Sequence, residues 1–118
     1  MKPKDFRDFS WISPWQPISA AGCEAYAAEL RSELAADHPL FAVPFTAVGR
    51  VFQDDDVLFI LDGHPSPLAV VHLTFTGSPE KDGRWPTAQF YPSLEEWVEK
   101  RMIPDAARYE RVRRSKAA

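Results

Sequence analysis

Two short apolar runs constrain this chain more than anything else in it. Val57-Leu58-Phe59-Ile60-Leu61 and Leu68-Ala69-Val70-Val71-His72-Leu73-Thr74-Phe75-Thr76 are separated by Asp62-Gly63-His64-Pro65-Ser66-Pro67. Short runs rich in β-branched and aromatic residues and bounded by turn formers read as buried strands, not helices. Side chains alternate along a strand, so the first run divides into Val57, Phe59, Leu61 and Leu58, Ile60. The second divides into Ala69, Val71, Leu73, Phe75 and Leu68, Val70, His72, Thr74, Thr76. One face of the sheet is therefore wholly apolar and should be covered by a helix. The other turns polar through His72, Thr74 and Thr76 and is expected to stay partly open.

The covering helix is predicted over 19–37. Cys23, Tyr26, Ala27, Leu30 and Leu34 form one stripe at helical spacing, with Ser19 as the N-cap and Pro39 as the stop. Before it, residues 3–18 place Phe6, Phe9, Trp11, Ile12, Trp15 and Ile18 among Pro3, Pro14 and Pro17. This arm is too broken for a helix and too apolar to lie free in water, so it is expected to pack across the sheet, with an aromatic partner surface as the functional alternative. Strands are predicted at about 46–52, 57–62 and 68–76, with an edge strand at 87–91. Residues 77–85 form a long polar loop. Ser93-Leu94-Glu95-Glu96 has the form of a capping box; it opens a short helix carrying Leu94, Trp97, Val98 and Met102 that ends before Pro104. A second short helix follows from about 105 to 113, docked weakly, and 114–118 read as a frayed basic tail.

A chain of 118 residues makes one domain with a core of its own. The fold class is α+β: a three- to four-stranded antiparallel meander, one long helix before it and two short ones after. The 11 prolines point to many ordered irregular segments. A single cysteine excludes an intrachain disulfide and a multi-cysteine zinc site and suits a reducing compartment, so a cytoplasmic location is expected. Met1 to Asp8 lacks the apolar core of a secretory signal, and no run approaches the roughly 20 residues of a membrane span. A net charge of −3 argues against a nucleic-acid binder. The basic cluster from Lys100 to Lys116 reads as a solvated helix end.

The chain carries no Gly-rich phosphate loop, no H-E-x-x-H, no G-x-S-x-G and no cysteine cluster. Asp54-Asp55-Asp56 lacks the alternation and glycine of a hard-cation loop and reads as a polar turn, so no metal and no cofactor are expected. Cys23, on the core stripe without a basic neighbour, reads as a small buried hydrophobe. Of the histidines, His38 reads as a solvated helix-end residue and His64 as a loop residue. His72 projects from a central strand and needs a polar partner, either structural or as a general base. The candidate binding set is His72, Thr74, Arg84 and Trp85 at the half-polar face, with Trp11 and Trp15 in the arm; His72 is the one weak catalytic candidate.

The pattern Val-Val-His-Leu-Thr-Phe, then Arg-Trp-Pro, then Phe-Tyr-Pro-Ser-Leu-Glu-Glu-Trp-Val resembles small bacterial single-domain proteins of unassigned function, over residues 68 to 103. The resemblance implies a compact α+β fold and carries over no site residue. The leading functional expectation is a non-enzymatic adaptor or immunity-like domain acting on another protein, by analogy alone. The alternative is a small-molecule binder or hydrolase with a pocket centred on His72. A homodimer joined through an edge strand or the aromatic arm is a third reading.

Overall fold

The computed structural model describes residues 1–51 and 54–117. After a 3-10 turn at Pro3–Phe6 come β1 (Trp15–Pro17), α1 (Ala20–Glu33), β2 (Phe45–Val51), β3 (Asp56–Leu61), β4 (Leu68–His72) and β5 (Thr87–Tyr91). The chain closes with α2 (Leu94–Trp97), a π turn (Val98–Met102) and α3 (Ile103–Ala117). The strands form one antiparallel sheet in the order β1-β2-β3-β4-β5. The meander is as expected, with five strands in place of three or four. The added strand, β1, lies in the aromatic arm: Trp15, Gln16 and Pro17 pair with Val51, Arg50 and Gly49. Its three residues follow Pro14 and end in Pro17, which mask any alternation. Phe52, the last residue of the expected first strand, lies outside the described residues.

The alternation of the two central strands holds across the sheet. Val57, Phe59, Leu61, Ala69, Val71 and Leu73 form one buried cluster with Leu30 of α1 and Leu34 just past its end. Leu58, Ile60, Leu68 and Val70 form the other with Phe6, Trp15, Trp97 and Met102. This second face is covered jointly by the arm and the C-terminal helices. Trp97 is the hub of the cover, with ring centroids 5.1 Å from Trp15, 5.9 Å from Phe9 and 6.0 Å from Trp11. Trp11 lies against Gly49 so closely that a Cβ there would come within 2.3 Å of the ring. Glycine at that strand position is what admits the indole.

Four expectations need correction. α1 stops at Glu33, not at Asp37: Leu34 turns to φ −78°, ψ 118° and still enters the core, while the Glu33 carbonyl accepts from the Glu80 N–H. A helical stripe cannot distinguish a core residue on the last turn from one just past it. β4 ends at His72, not Thr76, because Phe75 adopts φ +56°, a left-handed conformation in which a bulky residue persists only where its surroundings hold it. The two short C-terminal helices are one continuous helical segment. Pro104 offers no N–H and its ring clashes with a regular preceding turn; the wider π turn ahead of it absorbs both, and the helix runs on to Ala117 through most of what reads as a frayed tail. Ser93 accepts from the Glu96 N–H at 3.1 Å as predicted, but the Glu96 carboxylate pairs with Lys100 at 2.9 Å. Among the described residues no helix is long and apolar enough to cross a membrane.

Candidate functional site

The register of three strands builds the site. Asp56 opens β3 opposite His72 at the end of β4, and His72 lies opposite Thr87 at the start of β5. Directly opposed residues of antiparallel strands carry side chains on the same face within contact distance. His72 Nδ1 accordingly lies 2.7 Å from Asp56 Oδ1. One step along the ladder, Val70 and Gln89 extend the same face.

The C-terminal segment closes over this end of the sheet. From the π turn, Arg101 reaches three groups at once: Nη2 donates to Asp56 Oδ2 at 2.5 Å, Nη1 to Gln89 Oε1 at 3.2 Å and Nε to Asp105 Oδ2 at 2.8 Å. Asp105 also accepts from the Trp15 indole N–H at 2.8 Å and from Arg108 at 2.9 Å. The planar guanidinium fork is the one side chain suited to bridging two carboxylates and an amide. Asp56, Val70, His72, Thr87, Gln89, Arg101, Asp105 and Arg108 enclose an open cavity of about 610 Å³.

The hydrogen bond to Asp56 is the main influence on His72 and raises its pKa above the ordinary value. Partial burial works against it, and the charges of Asp56, Asp54 and Asp55 reinforce it. Burial likewise opposes the charge on Arg101, but Asp105 and Asp56 outweigh it and hold the guanidinium pKa above normal. With Nδ1 turned to a carboxylate, the His72 ring presents Nε2 for other chemistry, the arrangement that orients an imidazole for proton transfer. Asp54, Asp56 and His72 have ligand atoms within 4.8 Å of one another. Both Asp56 oxygens are committed, however, one of them to a cation, so this set does not suit a metal ion.

The other candidates lie elsewhere. Thr74, past the end of β4, turns to α1: its N–H and the Phe75 N–H each donate to one oxygen of the buried Glu33 carboxylate, at 2.9 Å. This pair of successive amides forms a small anion nest filled from within the chain. The Thr74 hydroxyl is within reach of both Glu33 Oε1, at 2.9 Å, and Glu80 Oε1, at 2.6 Å. Burial, and then a hydrogen bond with Glu29, raise the Glu33 pKa. Arg84 is 83% exposed and pairs with Asp82 at 2.8 Å, which holds the Asp82 carboxyl down at about 2. Trp85 is exposed, Trp11 is half-buried in the aromatic cover, and Trp15 is buried. Only His72 of the set lines the cavity, and Trp15 joins its network from behind through Asp105.

His38 is corrected from a solvated residue to a buried one. Its Nδ1 accepts from the Leu40 N–H at 3.0 Å, which leaves Nε2–H to donate to the Pro86 carbonyl at 2.8 Å. His64 stacks on Phe90 at 5.2 Å in the β3–β4 turn. The residues that sequence reasoning missed are Asp56, Gln89, Arg101, Asp105 and Arg108. One signal was present for Asp56: it and His72 lie equally far from His64 at the centre of the turn, so a symmetric hairpin pairs them. No family model, curated protein or solved structure matches the chain.

Proposed function

We propose that the chain is a small-molecule-binding domain of a reducing compartment, with its pocket centred on His72 and with His72 as the group that exchanges a proton with the ligand. The observation that carries this reading is the Asp56–His72 pair, 2.7 Å apart and fixed by Arg101, at the wall of a cavity lined from β3, β4, β5, the π turn and α3. A cavity of a few hundred Å³ with a few convergent polar groups is the usual form of such a site. A carboxylate-oriented imidazole is the usual form of a proton-transfer group.

The adaptor reading takes the aromatic arm and the half-polar sheet face together as a partner surface. Phe6 and Trp15 are buried in the arm's packing on its own sheet, so the arm offers them to no partner, and the half-polar face at His72 is a cavity wall, which favours the pocket. The likeness of 68–103 to small bacterial α+β proteins belongs to this proposal as a statement about fold only.

A mixed small-molecule fragment pool, followed by amide NMR shifts, tests the reading. Binders should move the signals of His72, Thr87, Gln89 and Arg101 together. His72→Ala should weaken them on the order of tenfold or more, as loss of a charge-assisted hydrogen bond predicts. Binders that leave those four signals unmoved would remove the pocket from consideration.

A further inference from the structure

The hydrogen-bonding capacity left in the pocket is one-sided. The carboxylate and amide oxygens of the lining are engaged. Asp56 accepts from His72 and Arg101, Asp105 from Trp15, Arg101 and Arg108, and Gln89 Oε1 from Arg101 and the Tyr91 hydroxyl. The donors are not used up. Arg108 is 67% exposed and meets Asp105 through Nη2 alone. The Gln89 amide nitrogen, the Thr87 hydroxyl and His72 Nε2 have no hydrogen-bond partner among the described residues. A guanidinium and an amide nitrogen only donate, and a protonated imidazole only donates at Nε2. A ligand that satisfies this wall must be rich in acceptors and poor in donors.

The charge of the lining points the same way. In the lining itself, Asp56 and Asp105 are balanced by Arg101 and Arg108, so the wall is neutral when His72 is neutral and carries one positive charge when it is protonated, while Asp54 and Asp55 stand outside the lining and oppose an anion from the β3 side. The charged groups around His72 are Asp54 and Asp55 before β3, Asp56 of β3, Arg101 of the π turn, and Asp105 and Arg108 of α3; β5 contributes only Thr87 and Gln89. Beyond the pocket α3 continues with Arg111, Arg113 and Arg114, all exposed, the last paired with Glu110 at 3.5 Å; the surplus of cations there favours the approach of an anion.

We infer that the pocket takes a small oxyanion, either a carboxylate or a tetrahedral sulfate- or phosphate-type group, held by Arg108, Gln89, Thr87 and His72 Nε2. This rests on the pocket reading above. Because His72 keeps its proton above its ordinary range, the anion should be held in slightly acid to neutral solution and released as the pH rises and the imidazole loses its charge.

The test is a titration of the full chain with sodium acetate, sodium sulfate and acetamide, the uncharged analogue of acetate. Amide NMR shifts are read at about pH 6 and about pH 8 for the wild type, Arg108→Gln and His72→Gln. Saturable shifts at His72, Thr87, Gln89 and Arg108 are expected with an anion and not with acetamide. The affinity should fall on the order of fivefold between the two pH values, as it should in Arg108→Gln, since each change removes one partly exposed charge from the site. In His72→Gln the pH dependence should vanish. Saturation by acetate alone identifies a carboxylate, and by sulfate alone a tetrahedral anion. Acetamide binding as well as acetate would overturn the anion assignment and leave the pocket standing. So would fragments that bind at these residues while both anions fail. Silence from salts and fragments alike would overturn both.

Discussion

His72 and Asp56 are coupled strongly enough to leave a mark on stability, and its sign follows from the pKa. Asp56 raises the folded-state pKa of His72 above the ordinary 6.5, so the native state holds the proton more tightly than the unfolded chain does. The resulting stabilisation is full below about pH 6.5 and is lost as the pH rises through the higher folded value. With the side chain 48% exposed, solvent screening limits it to less than about 1 kcal/mol. Urea unfolding of wild type and His72→Gln across this range should show a stability difference that shrinks with rising pH; one that grows would place the proton elsewhere. His72 itself was legible because it interrupts an apolar strand. Asp56 was legible only through the symmetry of the hairpin about His64, because three consecutive aspartates otherwise read as turn chemistry.

At the scale of elements, the π turn is what makes the site. A regular helix through Val98 to Pro104 would rotate Arg101 relative to Asp105 and the sheet. The inserted residue that accommodates Pro104 also places one guanidinium against Asp56, Gln89 and Asp105 together. Arg101→Gln would leave two carboxylates, 15% and 8% exposed, without their shared cation. Removing one partner of a buried ion pair costs about 3–5 kcal/mol, and the residual exposure of Arg101 places this variant near the lower end. Arg101→Lys should recover little, since an ammonium cannot bridge the three acceptors in one plane. Denaturant midpoints measure both, and a lysine variant as stable as wild type would show that charge, not the fork, holds the segment down. The sequence showed the breaker, Pro104, and the apolar positions Trp97, Val98 and Met102. It did not show that the chain would pass the breaker by widening a turn, since that outcome depends on what Arg101 meets across 45 residues.

For the molecule as a whole, the faces of the sheet were readable from alternation in β3 and β4, whereas the cover of the second face was readable only as a need. The arm meets that need by becoming structure: β1 adds a fifth strand, Trp15 is 1% exposed and Phe6 6%, and the Trp15 indole ties the arm to Asp105 of α3. The opposite edge, β5, is five residues long between Pro86 and Pro92, the short, proline-bounded form in which open sheet edges resist pairing. The full chain should therefore scatter light as a 13.4 kDa particle. Removal of residues 1–17 should not merely weaken the fold. Truncating one buried large aromatic costs about 3–5 kcal/mol, and losing two together with a strand consumes most of the roughly 5–15 kcal/mol by which small domains are stable. The shortened chain would expose Trp97, Leu58 and Val48 on an uncovered sheet face, so it should lose its cooperative thermal transition and self-associate. A shortened chain that stays at monomer mass and melts cooperatively would mean that the C-terminal helices cover the second face alone, and that the arm is an appendage.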